Sequence, residues 1–190
     1  MNHRIDPDRL RGLSIFLVGM MGSGKTTAGQ ILARHIGYRF FDTDVLIEGV
    51  AGETIAEIFQ NSGEETFREI ETRILAEVSS LTKSVIATGG GIVLKRENWS
   101  YLRHGLMIWL DAPIEVLVQR LQGDSSRPLL RETDLENKLT VLLEQRRSLY
   151  SEADLRIAID ASDSPESIVD RMIDRIPGVL QQPSIDREDN

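Results

Sequence analysis

Short apolar runs alternate with amphipathic stretches along most of this chain of 190 residues. The apolar runs are rich in β-branched and aromatic side chains and are too short for helices, which predicts buried strands at 14–18, 38–41, 84–88, 106–110 and 155–159. The amphipathic stretches predict helices at 26–35, at 45–50, from 54, and at 62–80, 95–102, 111–123, 134–150 and 165–176. Because strands and helices alternate, we predict an α/β fold with a parallel sheet and helices on both of its faces.

Short motifs predict where three of the helices begin. Thr54-x-x-Glu57 and Ser62-x-x-Glu65 both match the capping box, in which the first hydroxyl accepts a hydrogen bond from the backbone three residues later. Pro113 stands at the start of a further helix, where its missing N–H group has no helical partner to lose. We therefore expect each of these helices to begin at its motif.

The chain shows no repeat and no linker that would mark a second domain. Residues 123–133 combine glycine, proline, serines and charges between two predicted helices, which predicts an exposed, mobile loop. Both ends are polar, which predicts an N-terminal extension at 1–12 and a frayed C-terminal tail at 177–190. The sequence thus favours one domain at 13–176.

Composition excludes several classes of protein. With 41% hydrophobic and 27% charged residues, the chain has the balance of a globular protein, and it lacks both a membrane-spanning run and a secretory signal. The net charge of −8 disfavours a nucleic-acid partner. The absence of cysteine excludes disulfides and thiolate chemistry and fits a reducing cytoplasm. We expect a cytoplasmic monomer without nucleic-acid or membrane partners.

The stretch from Gly19 to Thr26 carries the clearest chemistry in the chain. It reads G-x-x-x-x-G-K-T between a predicted strand and a predicted helix, the context in which this pattern forms a phosphate-binding loop. Gly22 and Gly24 allow backbone N–H groups to converge on the β- and γ-phosphates of a nucleotide at the positive end of the helix. Lys25 adds a positive charge near the transferred phosphoryl group, and the Thr26 hydroxyl is placed to ligate Mg²⁺.

Two further groups follow predicted strands, at the sheet edge where parallel folds bind ligands. Asp42 and Asp44 end one strand and project to the same side if the extended geometry continues, although the pair would also serve as the cap of the next helix. Gly89, Gly90 and Gly91 end another strand. Their bare backbone N–H groups are suited to a substrate's oxygen atoms, and a simple turn is the alternative.

Other nucleotide-binding classes are excluded by the signatures that the sequence lacks. A guanine-specific GTPase needs D-x-x-G and N-K-x-D, a dinucleotide-binding fold needs G-x-G-x-x-G, and a protein kinase needs H-R-D and D-F-G. None of these patterns occurs in the chain. A small P-loop kinase that acts on a small molecule remains.

Four motifs together resemble the shikimate kinase family: GMMGSGKTTAG at 19–29, FDTD at 41–44, FREIE at 67–71 and TGGG at 88–91. Arg127-Pro-Leu-Leu in the predicted loop and Arg146-Arg-Ser-Leu-Tyr150 extend the resemblance, which covers about residues 13–176. It implies a nucleoside-monophosphate-kinase-like P-loop fold, a three-layer arrangement with five parallel strands and a mobile lid. It also implies ATP-dependent phosphorylation of the 3-hydroxyl group of shikimate, on the route to chorismate and the aromatic amino acids.

The resemblance implies two sets of binding residues and a metal site. The implied ATP-binding set is Gly22, Ser23, Gly24, Lys25, Thr26, Thr27, Arg120, Arg127 and Pro165. The implied shikimate-binding set is Asp44, Arg68, Gly89, Gly90, Gly91 and Arg146. Mg²⁺ is implied at Thr26 and Asp42.

The same resemblance implies three catalytic residues, Lys25, Asp44 and Arg127. Asp44 would accept a hydrogen bond from the reacting hydroxyl group, and Arg127 in the lid would close over the phosphates and stabilise the charge of the transition state. Arg68 and Arg146 would pair with the carboxylate of shikimate. Arg120 would lie flat on the adenine ring, with Pro165 and its neighbours on the other side. As isolated residues, these arginines would be assigned to a solvated surface.

Two features of the sequence leave residue roles open. Ser148 stands where the family commonly has proline, and Arg147 doubles the preceding arginine, so either Arg146 or Arg147 is the one that faces the substrate; spacing favours Arg146. Glu71 lies three residues after Arg68, on the same helix face, and is expected to orient its guanidinium. Phe59 and Phe67 line either the substrate pocket or the core.

Two other functions also remain open. A related enzyme such as a gluconate or nucleotide kinase would share the P-loop but would not need both the D-x-D and the F-R-x-x-E patterns. A nucleotide-dependent binding or regulatory protein would have lost Lys25, Asp44 or Arg146, and this chain retains all three.

Overall fold

The structure, a computed structural model, describes residues 10–122 and 134–180. Its strands are β1 (Ile15–Val18), β2 (Arg39–Asp42), β3 (Ser84–Ala87), β4 (Leu106–Asp111) and β5 (Leu155–Ala158). Its helices are α1 (Lys25–Ile36), α2 (Thr43–Ala51), α3 (Ile55–Asn61), α4 (Gly63–Ser79), α5 (Asn98–Leu102), α6 (Ile114–Leu121), α7 (Leu135–Tyr150) and α8 (Pro165–Leu180). A 3₁₀ turn, Ile92–Leu94, follows the glycine triad. The predicted lid at 123–133, with Arg127, lies outside the described residues.

The strands form one parallel sheet in the order β2-β3-β1-β4-β5. This confirms the predicted α/β fold and the five parallel strands that the resemblance implies. Every residue of β1, β3 and β4 is buried, because helices cover both faces of the central sheet. The edge strands β2 and β5 are partly exposed. Since β1 is central, the loop after it lies in the middle of the carboxyl edge, with the ends of β2 and β3 on one side.

A second, smaller hydrophobic cluster lies apart from the main core. It consists of Ile47, Ile58, Phe67 and Ile74, which come from α2, α3 and α4. These helices therefore pack on one another through their own apolar faces. The first of them, α2, begins directly after Asp42 at the end of β2, so the three helices lie beside the carboxyl edge of the sheet.

One capping box forms and the other does not. Thr54 and Glu57 exchange both hydrogen bonds of the box at the start of α3, as predicted. The helix start predicted at Ser62 is confirmed, since Ser62 is the N-cap of α4, but within the described chain its side chain makes no capping hydrogen bond. Its N–H group closes α3 on the carbonyl of Ile58, and the next residue, Gly63, takes a φ of +82°. Ser62 is thus used as the end of one helix and the start of the next.

The last helix extends beyond its predicted end at residue 176. α8 continues through Pro177 to Leu180, and Val179 and Leu180 pack against the main core. That apolar contact offsets the backbone hydrogen bond that a proline removes from a helix. At the other end, Leu10, which the sequence assigns to the polar extension, is buried in the core.

Two helix starts also differ from their prediction. α5 begins at Asn98 rather than at 95, because the chain first makes the 3₁₀ turn, to whose Ile92 carbonyl the Asn98 amide donates. Pro113 is the N-cap of α6 and not a residue of its first turn. None of the helices within 10–122 and 134–180 is long and apolar enough to cross a bilayer.

Candidate active site

The loop after β1 delivers a helix start that is suited to an anion. Gly24 is the N-cap of α1 at a φ of +94°, a left-handed conformation that glycine adopts without strain. Among the described residues, no side chain caps this helix start, and no acidic residue lies in its first turn. The first N–H groups and the positive end of the helix dipole are therefore presented to a ligand, as in phosphate-binding loops.

Two cationic side chains donate hydrogen bonds to carbonyl groups of the loop. Lys25 Nζ donates to the carbonyls of Gly19 and Met20 at 2.9 and 2.8 Å. Arg120, on α6, donates to the carbonyls of Gly22 and Ser23, both at 3.3 Å. These side chains satisfy carbonyl groups of the loop, so the loop keeps its shape while its N–H groups remain for a ligand.

A first cavity, of about 490 Å³, opens in front of this loop. Seven residues of the implied ATP-binding set line it: Gly22, Gly24, Lys25, Thr26, Thr27, Arg120 and Pro165. Ser23 is fully buried beneath the loop, and its Oγ has no hydrogen-bond partner in the described part of the chain. Arg127 lies outside the described residues. The volume is within the range of cavities that bind small molecules.

Thr26 and Asp42 meet at the edge of this cavity. The Thr26 hydroxyl donates to Asp42 Oδ2 at 2.6 Å, and Asp42 Oδ1 accepts from the backbone N–H of Asp44 at 3.0 Å. Asp42 is thus the N-cap of α2, and it also lines the cavity. Within 10–122 and 134–180 no cluster of three or more histidine or carboxylate side chains would hold a metal by itself.

A second cavity, of about 390 Å³, adjoins the first. All six residues of the implied shikimate-binding set line it: Asp44, Arg68, Gly89, Gly90, Gly91 and Arg146. Four residues line both cavities, namely Thr26, Asp42, Asp44 and Gly90. The two cavities therefore meet at the Thr26–Asp42 pair and Asp44.

Arg68 is oriented by two glutamates of its own helix. Its guanidinium contacts Glu71 Oε2 at 2.7 Å and Glu64 Oε1 at 3.1 Å. Glu71 is fully buried, and burial raises the pKa of its carboxyl group against the opposing effect of the Arg68 charge. Glu71 Oε1 has no hydrogen-bond partner in the described chain and faces Gly89. The predicted orienting contact between Glu71 and Arg68 is confirmed.

The glycine triad packs too tightly for side chains. A Cβ atom at Gly89 would lie 2.7 Å from Glu71 Oε1 and 3.0 Å from Asp44 Oδ1, and one at Gly91 would overlap the Arg68 guanidinium. The N–H group of Gly89 donates to the Thr43 hydroxyl at 3.0 Å, which uses one of the amides that the sequence assigns to the substrate. The triad is thus a close approach of backbone to charged side chains rather than a simple turn.

The two adjacent arginines of α7, Arg146 and Arg147, lie on different faces of the helix. Arg146 is 5% exposed, lines the second cavity and donates from Nη1 to the carbonyl of Gly90 at 3.2 Å. Its Nε has no hydrogen-bond partner in the described chain. Arg147 is exposed to solvent. The cavity therefore receives Arg146, the choice that spacing favours.

The sequence did not identify several lining residues of the second cavity. Met21, Val45, Glu48 and Ile55 line it, and Glu48 Oε1 accepts a hydrogen bond from the N–H group of Ile55 at 2.9 Å. Met21 lies within the motif at 19–29 but was given no role there, and only the helical position of Val45 and Glu48 after Asp44 would have pointed to these two residues. Phe59 and Phe67, whose ring centroids are 4.8 Å apart, line the cavity, and Phe67 also belongs to the smaller apolar cluster.

Comparisons with known proteins agree on one family. The family model for shikimate kinase matches residues 21–177. A shikimate kinase from Microcystis aeruginosa is 62% identical over 190 residues, which cover all of both chains. The solved structure of a shikimate kinase from Acinetobacter baumannii, in complex with shikimate, superposes with a TM-score of 0.84 and 36% identity over 93% of this chain and 98% of that one.

A gluconokinase from Sinorhizobium meliloti is also similar in structure. It has a TM-score of 0.56 and 20% identity over 89% of this chain and 95% of that one, a likeness that extends to the fold alone. The family model and the identity along the whole length set the shikimate kinases apart from this neighbour. From its sequence, its fold and these relatives, the chain belongs to the shikimate kinase family.

Proposed function

We propose that the chain transfers the terminal phosphoryl group of Mg·ATP to the 3-hydroxyl group of shikimate, with ATP in the first cavity and shikimate in the second. The observation that carries this assignment is the junction of the two cavities at Thr26, Asp42, Asp44 and Gly90. Donor and acceptor must meet in line for phosphoryl transfer, and two adjoining cavities with shared polar residues meet that requirement.

The first cavity fits a nucleoside triphosphate from its phosphate end outward. The uncapped start of α1 and the N–H groups of the loop after β1 bind the β- and γ-phosphates. Lys25 lies in the same loop and lines the cavity, and we assign its positive charge to the transferred phosphoryl group. Arg120 and Pro165 also line the cavity, and the adenine ring is assigned to these two residues.

The Thr26–Asp42 pair fits Mg²⁺. Mg²⁺ takes hard oxygen ligands, is held by one or two protein groups together with phosphate oxygens, and keeps several waters. A hydroxyl and a carboxylate oxygen 2.6 Å apart beside the phosphate site match that donor set, with Asp42 acting through water. When bound there, the ion would neutralise negative charge on the phosphates.

The second cavity fits a small acid with several hydroxyl groups. Arg146 and Arg68 place two guanidinium groups on its wall, and such groups bind a carboxylate through paired hydrogen bonds. Phe59 and Phe67 offer an apolar surface to a carbon ring. The N–H groups of Gly90 and Gly91, rather than that of Gly89, are assigned to the substrate, because Gly89 donates to Thr43.

Asp44 is assigned to the reacting hydroxyl group. It lines both cavities. The chain has no cysteine, and among the described residues no histidine lines either cavity, so neither of these side chains competes with Asp44 for the proton. In a loose transition state the proton leaves late, so the carboxylate mainly orients the hydroxyl and accepts its proton at the end. Arg127, in the lid predicted at 123–133, is assigned to the phosphates.

A panel of acceptors tests the proposal. Release of ADP from Mg·ATP is measured with shikimate, gluconate and nucleoside monophosphates at equal concentrations. We expect release with shikimate to exceed that with every other acceptor by at least 100-fold, a difference of about 3 kcal/mol in transition-state binding. Faster release with gluconate or a monophosphate would overturn the assignment of the second cavity.

We further propose that the enzyme works as a monomer in the cytoplasm. One chain contributes the described residues of both cavities, so the site needs no second copy to supply them. Light scattering during size-exclusion chromatography should give a mass near 21.3 kDa at the concentration of the assay. A mass twice as large would contradict the monomer.

A further inference from the structure

Tyr150 is buried beside the junction of the cavities and belongs to neither lining. It is 0% exposed, and its ring lies against that of Trp109 with centroids 5.9 Å apart and an interplanar angle of 26°. Its hydroxyl donates to the carbonyl of Gly90 at 2.5 Å and lies 3.7 Å from the sulfur of Met20 in the phosphate-binding loop. The Tyr150 side chain thus holds one hydrogen-bond donor where the phosphate-binding loop meets the glycine triad.

The carbonyl of Gly90 has a second donor, Arg146. The Nη1 distance to that carbonyl is 3.2 Å, longer than the distance from the Tyr150 hydroxyl. Gly90 itself is pressed against the phosphate-binding loop, since a Cβ atom there would lie 3.3 Å from the N of Met21 and 3.4 Å from the O of Gly19. The orientation of this one peptide group therefore affects Arg146 and the junction of the two cavities together.

Tyr150 and Arg146 lie four residues apart on α7, so their side chains are neighbours on one face of the helix. If Tyr150 did not donate to Gly90, the buried carbonyl would depend on Arg146 alone, and a buried acceptor without a partner is costly. The Arg146 guanidinium would then remain bonded to the carbonyl of Gly90 and would be less able to bind the carboxylate of the substrate. The hydroxyl is the closer donor, at 2.5 Å against 3.2 Å, and so weakens the hold of the carbonyl on Arg146.

We propose that Tyr150 is a positioning residue for the acceptor: by satisfying the carbonyl of Gly90, it leaves Arg146 available to the carboxylate of the substrate. This inference rests on the proposed function, because it takes Arg146 as the carboxylate ligand. Burial raises the pKa of Tyr150 to about 12, with the Arg146 charge acting against the shift, so the hydroxyl stays protonated and donates throughout the working pH range.

The test compares Tyr150→Phe with the wild type on two acceptors, shikimate and its methyl ester, which lacks the negative charge. We expect the variant to raise the KM for shikimate by about tenfold, the effect of one hydrogen bond, with kcat and the KM for ATP changed by less than about twofold. The KM for the ester should also change by less than about twofold, because the ester makes no charged contact with Arg146. Equal losses for both acceptors would overturn the proposal and reduce Tyr150 to a packing role.

Two controls keep the test decisive. Tyr101→Phe removes the hydroxyl of a half-buried tyrosine that lines neither cavity, and it should leave all constants unchanged. In an Arg146→Gln background, adding Tyr150→Phe should raise the KM for shikimate by less than about twofold, because no guanidinium remains to be positioned. A further tenfold rise in that background would overturn the proposal.

The outcomes separate this inference from the proposed function. A wild type that does not phosphorylate shikimate, or that prefers the ester, contradicts the proposed function itself. A wild type that prefers shikimate, with a Tyr150→Phe variant of unchanged constants, contradicts only the role of Tyr150. Thermal unfolding of each variant is measured alongside, and a ten-fold rise in KM with an unshifted melting temperature supports the proposal.

Discussion

Replacing Arg146 by alanine gives the sharpest contrast that the chain offers, because its neighbour Arg147 is a matched control. Both substitutions remove the same atoms and the same charge from consecutive positions of α7, which face different directions. Arg146 is 5% exposed and lines the second cavity, whereas Arg147 is exposed. Any difference between the two variants therefore reports the environment of the guanidinium and not its chemistry.

The size of the effect follows from the contacts of Arg146. A hydrogen bond to a charged group contributes about 1.5–3 kcal/mol, so loss of the contact with the acceptor's carboxylate should raise the KM for shikimate by about 10- to 150-fold. The carbonyl of Gly90 keeps its hydrogen bond to Tyr150, so Arg146→Ala leaves no buried acceptor without a donor there. Arg147→Ala should stay within about ±0.5 kcal/mol, as surface substitutions do.

The assay is ADP release at saturating Mg·ATP with varied shikimate, then the reverse, with calorimetric binding of each ligand. ATP constants should be unchanged in both variants, since neither arginine lines the first cavity. Equal weakening of ATP and shikimate in Arg146→Ala would mean that this residue supports the fold rather than the acceptor. A normal Arg146→Ala beside a damaged Arg147→Ala would refute the assignment altogether.

Three more predictions test other parts of the site. Asp44→Asn should lower kcat by at least about 100-fold in the ADP-release assay while calorimetry gives an unchanged Mg·ATP affinity; lost Mg·ATP affinity with normal acceptor binding would exchange the roles of Asp42 and Asp44. Gly89→Ala should raise the KM for shikimate by about tenfold or more, because its Cβ would lie 2.7 Å from Glu71 Oε1. The control Gly49→Ala, whose Cβ meets nothing within 4 Å, should leave the kinetics unchanged, and equal kinetics in the two variants would contradict the close packing of the triad. The hydrogen bond from Arg171 holds the pKa of Asp163 at about 2, below its usual 3.8, so the ionised carboxylate stabilises the fold above about pH 4 and loses this effect between about pH 4 and 2. In urea unfolding, the difference in the free energy of unfolding between wild type and Asp163→Asn should therefore disappear over that range, and a difference independent of pH would contradict the prediction.

Local patterns in the sequence were enough for most of the fold. The strand–loop–helix around Lys25 is encoded by neighbouring residues, because β-branched residues, glycines and helical spacing each act over a few positions. The strand order is different in kind. β1 pairs with β3 and β4, which are more than 60 residues away in the chain, and no local pattern records such a pairing.

The errors at helix ends have the same origin. Ser62 matches a capping box, yet its backbone is committed to closing α3, and the motif contains no information about the preceding helix. Pro177 predicts a helix end, yet Val179 and Leu180 find apolar contacts in the core. In both places a tertiary or neighbouring interaction outweighs a local preference.

In the candidate site, too, local patterns predicted some residues, and others became evident only from tertiary contacts. The phosphate loop, the two aspartates and the glycine triad follow strands and were placed by that position. The choice between Arg146 and Arg147 depends on which face of α7 meets the cavity, which spacing only favours. Tyr150 gave one signal, its position four residues after Arg146, but its contact with Gly90 joins residues 60 positions apart and becomes visible only in three dimensions.

Identification of the product tests the central claim most directly, namely that one site joins Mg·ATP to the 3-hydroxyl group of shikimate. Purified chain, Mg·ATP and shikimate are incubated to completion, and the products are analysed by phosphorus–proton correlated NMR. The account predicts ADP and shikimate 3-phosphate in equal amounts, with phosphorus coupled to the proton on carbon 3, and no product from Lys25→Met. Phosphate on another hydroxyl group, ADP released without a phosphorylated acceptor, or normal product from Lys25→Met would contradict it.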